Sequence, residues 1–286
     1  MTQSTFHCRA CSYSECIPIL SFGTTPLADA LLSADQLGSP EVTAPLDLVF
    51  CPKCSLVQIT ETVPPEILFC RNYPYFSSVS KSLLQHFANS AEAVIKARGL
   101  NANSLVIEAA SNDGYMLRNF VNHGIPVLGI DPAEEQVRTA NERGVNSINK
   151  FFTKELAEQL AAEGKKADVF LANNVLAHVA DLNGFVDGIK ALLKPTGVAV
   201  IEAPYIVDLI QKCEFDTIYH QHLCYFSVTA LSKLFRDHGL FLNDVERTRI
   251  HGGLRATGWS GRCAFSGWRR LGRGSVRSMS RVMNLM

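Results

Sequence analysis

The sequence has neither a long apolar run nor a net charge, and these absences exclude several classes of protein. Its 286 residues carry 27 basic and 27 acidic side chains, so no overall field attracts nucleic acid or a charged membrane. No stretch approaches the roughly 18 consecutive apolar residues of a membrane-spanning helix. Residues 1–6 are polar and lack the apolar centre of a secretion signal. We therefore expect a cytoplasmic protein without a membrane or nucleic-acid partner.

Both common phosphate-binding loops are also missing, although the chain has the alternation of strands and helices that usually accompanies them. Apolar strands are predicted at Leu105–Glu108, Val127–Asp131, Asp168–Asn174 and Val198–Glu202. With helices between them, they predict an α/β fold with a parallel sheet covered on both faces. The loop from Glu108 to Gly114 is not GxGxxG, and no GxxxxGK occurs. The ligand expected at the carboxyl ends of the strands is therefore one without phosphates.

Carboxylates end the first two of these strands. Glu108 can face a cationic group, and Asp131 can accept hydrogen bonds from both hydroxyls of a ribose. S-adenosylmethionine has a ribose and a cationic methionyl end, so the ordered pair favours this cofactor. Either carboxylate alone would fit a helix cap or a surface residue equally well. The other candidate cofactor-binding residues are Ser111, Asn112, Gly114, Pro132, Asn173 and Asn174.

Four of the nine cysteines form two CxxC pairs, Cys8 with Cys11 and Cys51 with Cys54. Each pair places two thiolates on one tight turn, and four sulfur ligands complete a tetrahedral zinc site. Because four cysteines leave no open position on the metal, we expect the zinc to be structural. The alternative is four buried free thiols.

Tyr219, His220, Gln221 and His222 place a phenol, two imidazoles and an amide in a row, after the last predicted strand. Histidine exchanges protons near neutral pH, and tyrosine can stabilise a forming oxyanion, so the run predicts a proton-transfer site. A solvated surface loop is the alternative. Earlier in the chain, Tyr73 and Tyr75 lie in a polar loop before a helix predicted from Ser80 to Ala97.

The motifs in this order resemble the nucleotide-sugar C-methyltransferases that make branched deoxysugars. The resemblance covers about residues 7–255 and is carried by both CxxC pairs and by 25–28, 73–78, 108–114, 129–132, 173–178, 216–222 and 251–253. It implies a zinc-binding domain (1–62), a connector (63–99) and a Rossmann-like class I methyltransferase domain (100–251).

The family also implies a substrate and a chemistry. The substrate would be a dTDP-linked 4-keto deoxysugar, deprotonated at C-3 and methylated through its enolate. By this resemblance His222 is the base, Tyr219 and His178 hold the keto oxygen, and Tyr73 or Tyr75 contacts the sugar. The resemblance gives His220 no chemical role.

Two departures from the family stand out. Gln221 replaces the usual glutamate, and an amide holds no charge, so we expect Gln221→Glu to raise the rate. Residues 252–286 contain seven arginines and no Asp, Glu or Lys, which predicts a tail foreign to the domain, from a truncation or a shifted reading frame. A basic arm for acidic partners is the alternative. Two other functions stay open: an inactive protein that binds zinc and S-adenosylmethionine, and a zinc-bearing RNA methyltransferase.

Overall fold

Two β-sheets form the framework in a computed structural model, which describes residues 6–70, 75–248 and 253–259, the last without the side chain of residue 259. The strands are β1 Ile17–Pro26, β2 Thr43–Phe50, β3 Val57–Ile59, β4 Val106–Ala109, β5 Val127–Asp131, β6 Ser147–Asn149, β7 Ala167–Asn173, β8 Leu193–Pro204, β9 Cys224–Tyr225, β10 Phe241–Arg247 and β11 Gly253–Trp259. The α-helices are α1 Lys81–Arg98, α2 Leu117–Val121, α3 Glu134–Glu142, α4 Lys154–Ala162, α5 Leu182–Leu192, α6 Ile206–Lys212 and α7 Val228–Asp237. Single helical turns lie at Ala34–Gln36, Glu66–Cys70, Ser77–Val79, Leu176–His178 and Phe215–Thr217.

The smaller sheet belongs mostly to the N-terminal residues 6–62, which we call the zinc module. Its order is β1-β2-β3-β9, with every neighbouring pair antiparallel. The fourth strand, β9, comes from far along the chain and immediately follows the predicted proton-transfer residues. The zinc module and the larger domain therefore share one sheet.

The larger sheet has the order β10-β11-β8-β7-β4-β5-β6. The five strands from β6 to β8 are parallel, and β11 runs antiparallel to both of its neighbours. Phe87 and Phe120 lie in the buried cluster on one side of the sheet, and Phe170 and Phe185 in the cluster on the other. The predicted parallel sheet covered on both faces is confirmed.

Local signals set the ends of the helices. The Ser80 hydroxyl accepts a hydrogen bond from the amide of Leu83 and begins α1, and Gly99 ends it with a left-handed φ of 58°. At α5, the Asp181 side chain accepts from the amide of Gly184 in the same way. None of the helices in the described ranges has the length and apolar character that crossing a membrane requires.

The sheet continues past residue 251, where the sequence predicted the domain to end. β11 lies between β8 and β10 and pairs with β8 along its whole length, from Gly253 opposite Pro204 to Trp259 opposite Val198. Leu254 and Ala256 alternate into the core, and Arg255 points the other way, toward buried Glu202. The alternation of apolar and other residues that marks a strand was hard to recognise here, because glycine and arginine occur among only a few apolar residues. The remainder of the predicted tail, 260–286, lies outside the described residues.

Candidate active site

The four CxxC cysteines come together at one point of the zinc module. All four Sγ atoms lie within 4.8 Å of one another, and the pairs Cys8–Cys54 and Cys11–Cys51 are each 3.5 Å apart. Two similar turns hold them: the amide of Ser12 donates to the Cys8 carbonyl, and that of Ser55 to the Cys51 carbonyl. Four thiolates in this arrangement match a closed tetrahedral zinc site, because the sulfurs lie close enough together to bind one ion.

The zinc module is tied to the predicted proton-transfer loop by backbone hydrogen bonds. The Ile59 amide donates to the Leu223 carbonyl at 3.0 Å, and β3 pairs with β9 just beyond it. At the first cysteine turn, the Asn183 side-chain amide from α5 donates to the Arg9 carbonyl at 3.1 Å. The zinc module therefore supports the 219–222 loop, although none of the four cysteines lies in that loop.

Glu108 lies at the carboxyl end of β4 and is fully buried. The Asn173 side-chain amide, from the end of neighbouring β7, donates to Glu108 Oε1 at 2.8 Å. Burial raises the pKa of Glu108 well above its usual range. Glu108 Oε2 and the buried hydroxyl of Ser111 have no hydrogen-bond partner within the described parts of the chain. Two orphaned polar atoms at this edge suit a bound cation with hydrogen-bond donors.

Asp131, at the end of adjacent β5, is oriented by two backbone amides. Oδ2 accepts from Asn112 and Oδ1 from Ala133, both at 2.8 Å. Burial raises the pKa of Asp131 to about 6, against the lowering effect of these two hydrogen bonds. Each carboxylate oxygen keeps a further lone pair, so the group can still accept from a vicinal diol. Pro132 follows it, and α3 begins two residues later, at Glu134.

The loop between β4 and α2 is closely packed. Gly114 has a φ of 75°, and a Cβ there would lie 2.9 Å from Cγ2 of Val145, so both backbone and space require glycine. The Asn112 side chain faces the connector, where its Nδ2 donates to the Tyr75 carbonyl at 3.1 Å and its Oδ1 accepts from the Ser77 amide at 3.0 Å. Asn112 thus brings Tyr75 to this edge; Tyr73 lies outside the described residues.

The residues at positions 174 and 178 connect this edge to the histidines. Asn174 has a left-handed φ of 54°, and its amide donates to the Glu202 carbonyl at 2.7 Å. The helical turn that follows ends at His178, and the Leu223 amide donates to the Ala177 carbonyl at 2.8 Å. The end of β7 and the 219–222 loop are therefore held side by side.

Tyr219, His222 and His178 form a compact cluster, which we call the proton-transfer cluster. His222 Nδ1 lies 2.8 Å from the Thr217 carbonyl, which accepts only from a protonated nitrogen, so neutral His222 keeps its lone pair on Nε2. Nε2 lies 3.1 Å from the Tyr219 hydroxyl. Burial, more than anything else, raises the pKa of Tyr219 to about 12.

His178 packs against His222 with ring centroids 4.8 Å apart. Burial, and then the neighbouring His222, lowers the pKa of His178 to about 3. His178 is therefore neutral at physiological pH and serves as a hydrogen-bonding group. Its Nδ1 is buried and has no partner within the ranges that the structure covers, so it is available to a ligand.

The other two residues of the run point away from this cluster and toward the zinc module. His220 is buried, and its Nε2 lies 3.1 Å from the Pro45 carbonyl, which gives it a role in joining β2 to the loop. The Gln221 amide nitrogen donates to Asp29 Oδ2 at 3.1 Å. No sequence pattern pointed to Asp29, because 192 residues separate the two partners.

We call the carboxyl ends of β4, β5 and β7, with Glu108, Asp131 and Asn173, the cofactor edge. A second group that the sequence missed lies next to it, at the end of β8. Buried Glu202, at the end of β8, lies 2.9 Å from His86 Nε2 on α1 and accepts from Arg255 on β11 at 3.0 Å. The three residues come from distant parts of the chain, and only the position of Glu202 at a strand end singled it out. This group ties α1 and β11 to the sheet.

Two family models match the chain. A zinc-binding-domain model matches residues 8–69, and a methyltransferase-domain model matches residues 83–243, more than half of the chain. The chain therefore belongs to the methyltransferase-domain family, with a zinc-binding domain at its N-terminal side. The sheet order, with one reversed strand beside β8, is the class I methyltransferase arrangement.

Among curated proteins, the chain is similar to the C-methyltransferase NovU of Streptomyces niveus, with 37% identity over 246 residues. That similarity covers 86% of this chain, and the chain spans 58% of that relative's length. It also matches a ubiquinone biosynthesis O-methyltransferase of Bartonella tribocorum, at 29% identity over 130 residues, 40% of this chain and 53% of the relative.

Solved structures support the fold. A protein from Pyrococcus horikoshii OT3 matches with a TM-score of 0.52 and 16% identity, over 66% of this chain and 96% of its own. The magnesium protoporphyrin IX methyltransferase of Synechocystis PCC 6803, solved with bound SAH, matches with a TM-score of 0.50 and 15% identity, over 63% of this chain and 87% of its own. At these identities the likeness concerns the fold alone.

Proposed function

We propose that this chain is an S-adenosylmethionine-dependent C-methyltransferase that acts on a nucleotide-linked 4-keto deoxysugar through an enolate. The observation that carries the proposal is the locked tautomer of His222, whose basic Nε2 lies beside the Tyr219 hydroxyl next to the cofactor edge. The name of the relative NovU, a C-methyltransferase, supports carbon as the methyl acceptor. A reducing cytoplasm, where thiolate zinc ligands persist, is the location we infer.

The chemistry follows from the acidity of a C–H bond next to a ketone. His222 Nε2 removes the proton at C-3, and the C–H electron pair moves to form the enolate, whose oxygen carries the charge. The Tyr219 hydroxyl or neutral His178 donates a hydrogen bond to that oxygen. When bound, S-adenosylmethionine would supply an electrophilic methyl group: the enolate carbon would bond to it as the bond from methyl to sulfur breaks, with the electron pair staying on sulfur. His222 keeps the abstracted proton until it exchanges with water.

The cofactor edge provides groups for both polar ends of S-adenosylmethionine. The orphaned Glu108 Oε2 would accept from the methionyl ammonium, whose charge favours ionisation of the buried carboxyl. Asp131, oriented by two backbone amides, would accept from the ribose hydroxyls. Asn173 and Ser111 would complete this edge, and Tyr75 would approach the substrate from the connector.

The proposal is tested by two measurements on one mixture. The protein is incubated in D2O with dTDP-4-keto deoxysugars, and deuterium at C-3 is followed by NMR before and after S-adenosylmethionine is added. We expect base-catalysed exchange first and methyl transfer to C-3 afterwards. His123→Ala, which changes an exposed histidine in the turn after α2, serves as the matched control for variants of the cluster.

Other outcomes identify the alternatives. Binding of S-adenosylmethionine by calorimetry, with neither exchange nor transfer for any sugar offered, would make the chain an inactive binding protein. That alternative is favoured by Gln221, where the resembling family has glutamate. Methylation of RNA, with binding that weakens as salt rises, would instead support the RNA methyltransferase.

A further inference from the structure

We infer that Asp29, in the zinc module, supplies the carboxylate that position 221 lacks, and that it acts as a positioning residue for the proton-transfer cluster. The inference deepens the proposed function and rests on it, since it concerns the charge that stabilises a protonated base. Asp29 itself touches Gln221 and not the reacting atoms. Its effect is therefore on the orientation and the electrostatics of its neighbours.

The contact between Asp29 and Gln221 is specific in its geometry. Gln221 is buried, with 3% of its surface exposed, and its amide donates to Asp29 Oδ2 at 3.1 Å. Asp29 follows β1 with a left-handed φ of 60°, two residues after buried Leu27. The chain thus turns sharply at Asp29 and presents its carboxylate to the loop that carries the cluster.

The charge of Asp29 reaches the reacting side of the loop. The Asp29 carboxylate helps to raise the pKa of Tyr219, second only to burial, and the Tyr219 hydroxyl lies 3.1 Å from His222 Nε2. A negative charge bonded to Gln221, the residue before His222, stabilises the imidazolium that forms when His222 takes a proton. An amide at position 221 cannot supply that charge, whereas the carboxylate one hydrogen bond away can.

This arrangement changes the expectation for Gln221→Glu. The sequence alone predicted a faster enzyme, but a glutamate there would place a second carboxylate at hydrogen-bond distance from Asp29. Two like charges so close repel each other or share a proton, so the single substitution should not raise the rate. In Asp29→Asn with Gln221→Glu, the amide and the carboxylate exchange places and the hydrogen bond runs in the opposite direction.

The experiment compares the parent with Asp29→Asn, Gln221→Glu and the double variant. Asp29→Asn keeps a hydrogen bond between two amides. A lower rate in this variant therefore reflects the lost charge and not a lost contact. We expect it to lower kcat at least about tenfold, less than the ~10²–10⁴ of a general base itself, and to leave KM for S-adenosylmethionine nearly unchanged. The double variant should return to within about threefold of the parent, a coupling typical of residues in direct contact. Asp35→Asn, an exposed aspartate bonded to Ser33, is the control.

A titration decides the inference independently of turnover. With ¹³C-labelled tyrosine, and Tyr219→Phe to assign the signal, Asp29→Asn should lower the pKa of Tyr219 and the double variant should restore it. The difference should shrink at about 1 M salt, because Asp29 is exposed. Parental kcat or an unchanged Tyr219 titration in Asp29→Asn would overturn the inference, as would strictly additive effects in the double variant. If the parent neither exchanges nor transfers, the proposed function fails, while the titration still decides the role of Asp29.

Discussion

At the scale of single residues, the two carboxylates of the cofactor edge behave differently because their partners differ. Glu108 has one side-chain donor and one oxygen without a partner in the described chain, whereas both Asp131 oxygens accept backbone amides. Backbone donors favour the ionised form and partly offset burial. The ribose-binding candidate, Asp131, therefore has a pKa of about 6, so its charge changes just below neutral pH.

Binding of S-adenosylmethionine should weaken as the pH falls through about 6, the raised pKa of Asp131. At pH 5 roughly a tenth of the carboxyl is ionised, so we expect Kd to rise about tenfold relative to pH 7. Calorimetry across this range measures the effect, and Asp131→Asn should bind weakly and lose the part of the pH dependence that Asp131 contributes. Parent and variant profiles of the same shape would contradict the role of Asp131.

Folding stability should respond to the same carboxyl in the opposite sense. Its pKa in the folded protein lies above the usual 3.8, so the native state binds the proton more tightly. The resulting stabilisation is fully present below about pH 3.8 and is lost as the pH rises through about 6. This loss should be absent from denaturant unfolding of Asp131→Asn without ligand.

His222→Asn should abolish exchange at C-3, because asparagine approximates the reach of imidazole Nδ1 without offering a basic nitrogen. We expect a loss of at least about 10²-fold, the lower end for a general base, with binding of S-adenosylmethionine retained. Deuterium incorporation followed by NMR gives the rate. Exchange at the parental rate would remove His222 as the base.

At the scale of elements, β11 shows how a strand can be hidden by its composition. Leu254 and Ala256 face the core, but Arg255 lies between them with a buried partner, and glycine flanks the segment. The Arg255 guanidinium balances the charge of Glu202, and the His86 imidazole lies beside the same carboxylate. An arginine-rich segment can therefore belong to a sheet when a buried carboxylate forms an ion pair with one of its arginines.

Arg255→Met should destabilise the protein, because it removes the guanidinium that pairs with buried Glu202 and leaves the His86 imidazole beside that carboxylate. We expect a loss of up to about 3 kcal/mol in unfolding free energy, the lower part of the range for breaking a buried pair. The companion variant Arg255→Met with Glu202→Gln should recover part of it. Urea unfolding measures both, and parental stability of the single variant would show that β11 is not held by this group.

At the scale of the whole molecule, the sequence predicted what depends on local pattern and missed what depends on long-range pairing. The parallel strands, α1 and the fold class follow from apolar runs, and the structure confirms them. Asp29 beside Gln221 and β3 beside β9 join residues more than 160 positions apart. No periodicity or spacing encodes such contacts, since packing of the folded chain decides them.

Removal of zinc should abolish methyl transfer even though the metal site lies outside the proton-transfer cluster. Cys54→Ser should lose the metal and loosen β3, whose Ile59 amide holds the Leu223 carbonyl. We expect coupled losses of zinc content, thermal stability and transfer. Cys213→Ser, at an exposed lone cysteine, should retain all three, and full activity of zinc-free Cys54→Ser would separate the metal from the active site.

The shared antiparallel sheet also affects how inhibition by a chelator must be interpreted. Because β9 continues directly from the histidine loop into the sheet of the zinc module, EDTA would act as a slow unfolding agent for the reaction centre. The inhibited enzyme would resemble a metal-dependent catalyst in a conventional assay. The distinguishing sign is kinetic: activity would decay with the rate of metal loss and would return only as fast as the sheet reforms, whatever the substrate concentration.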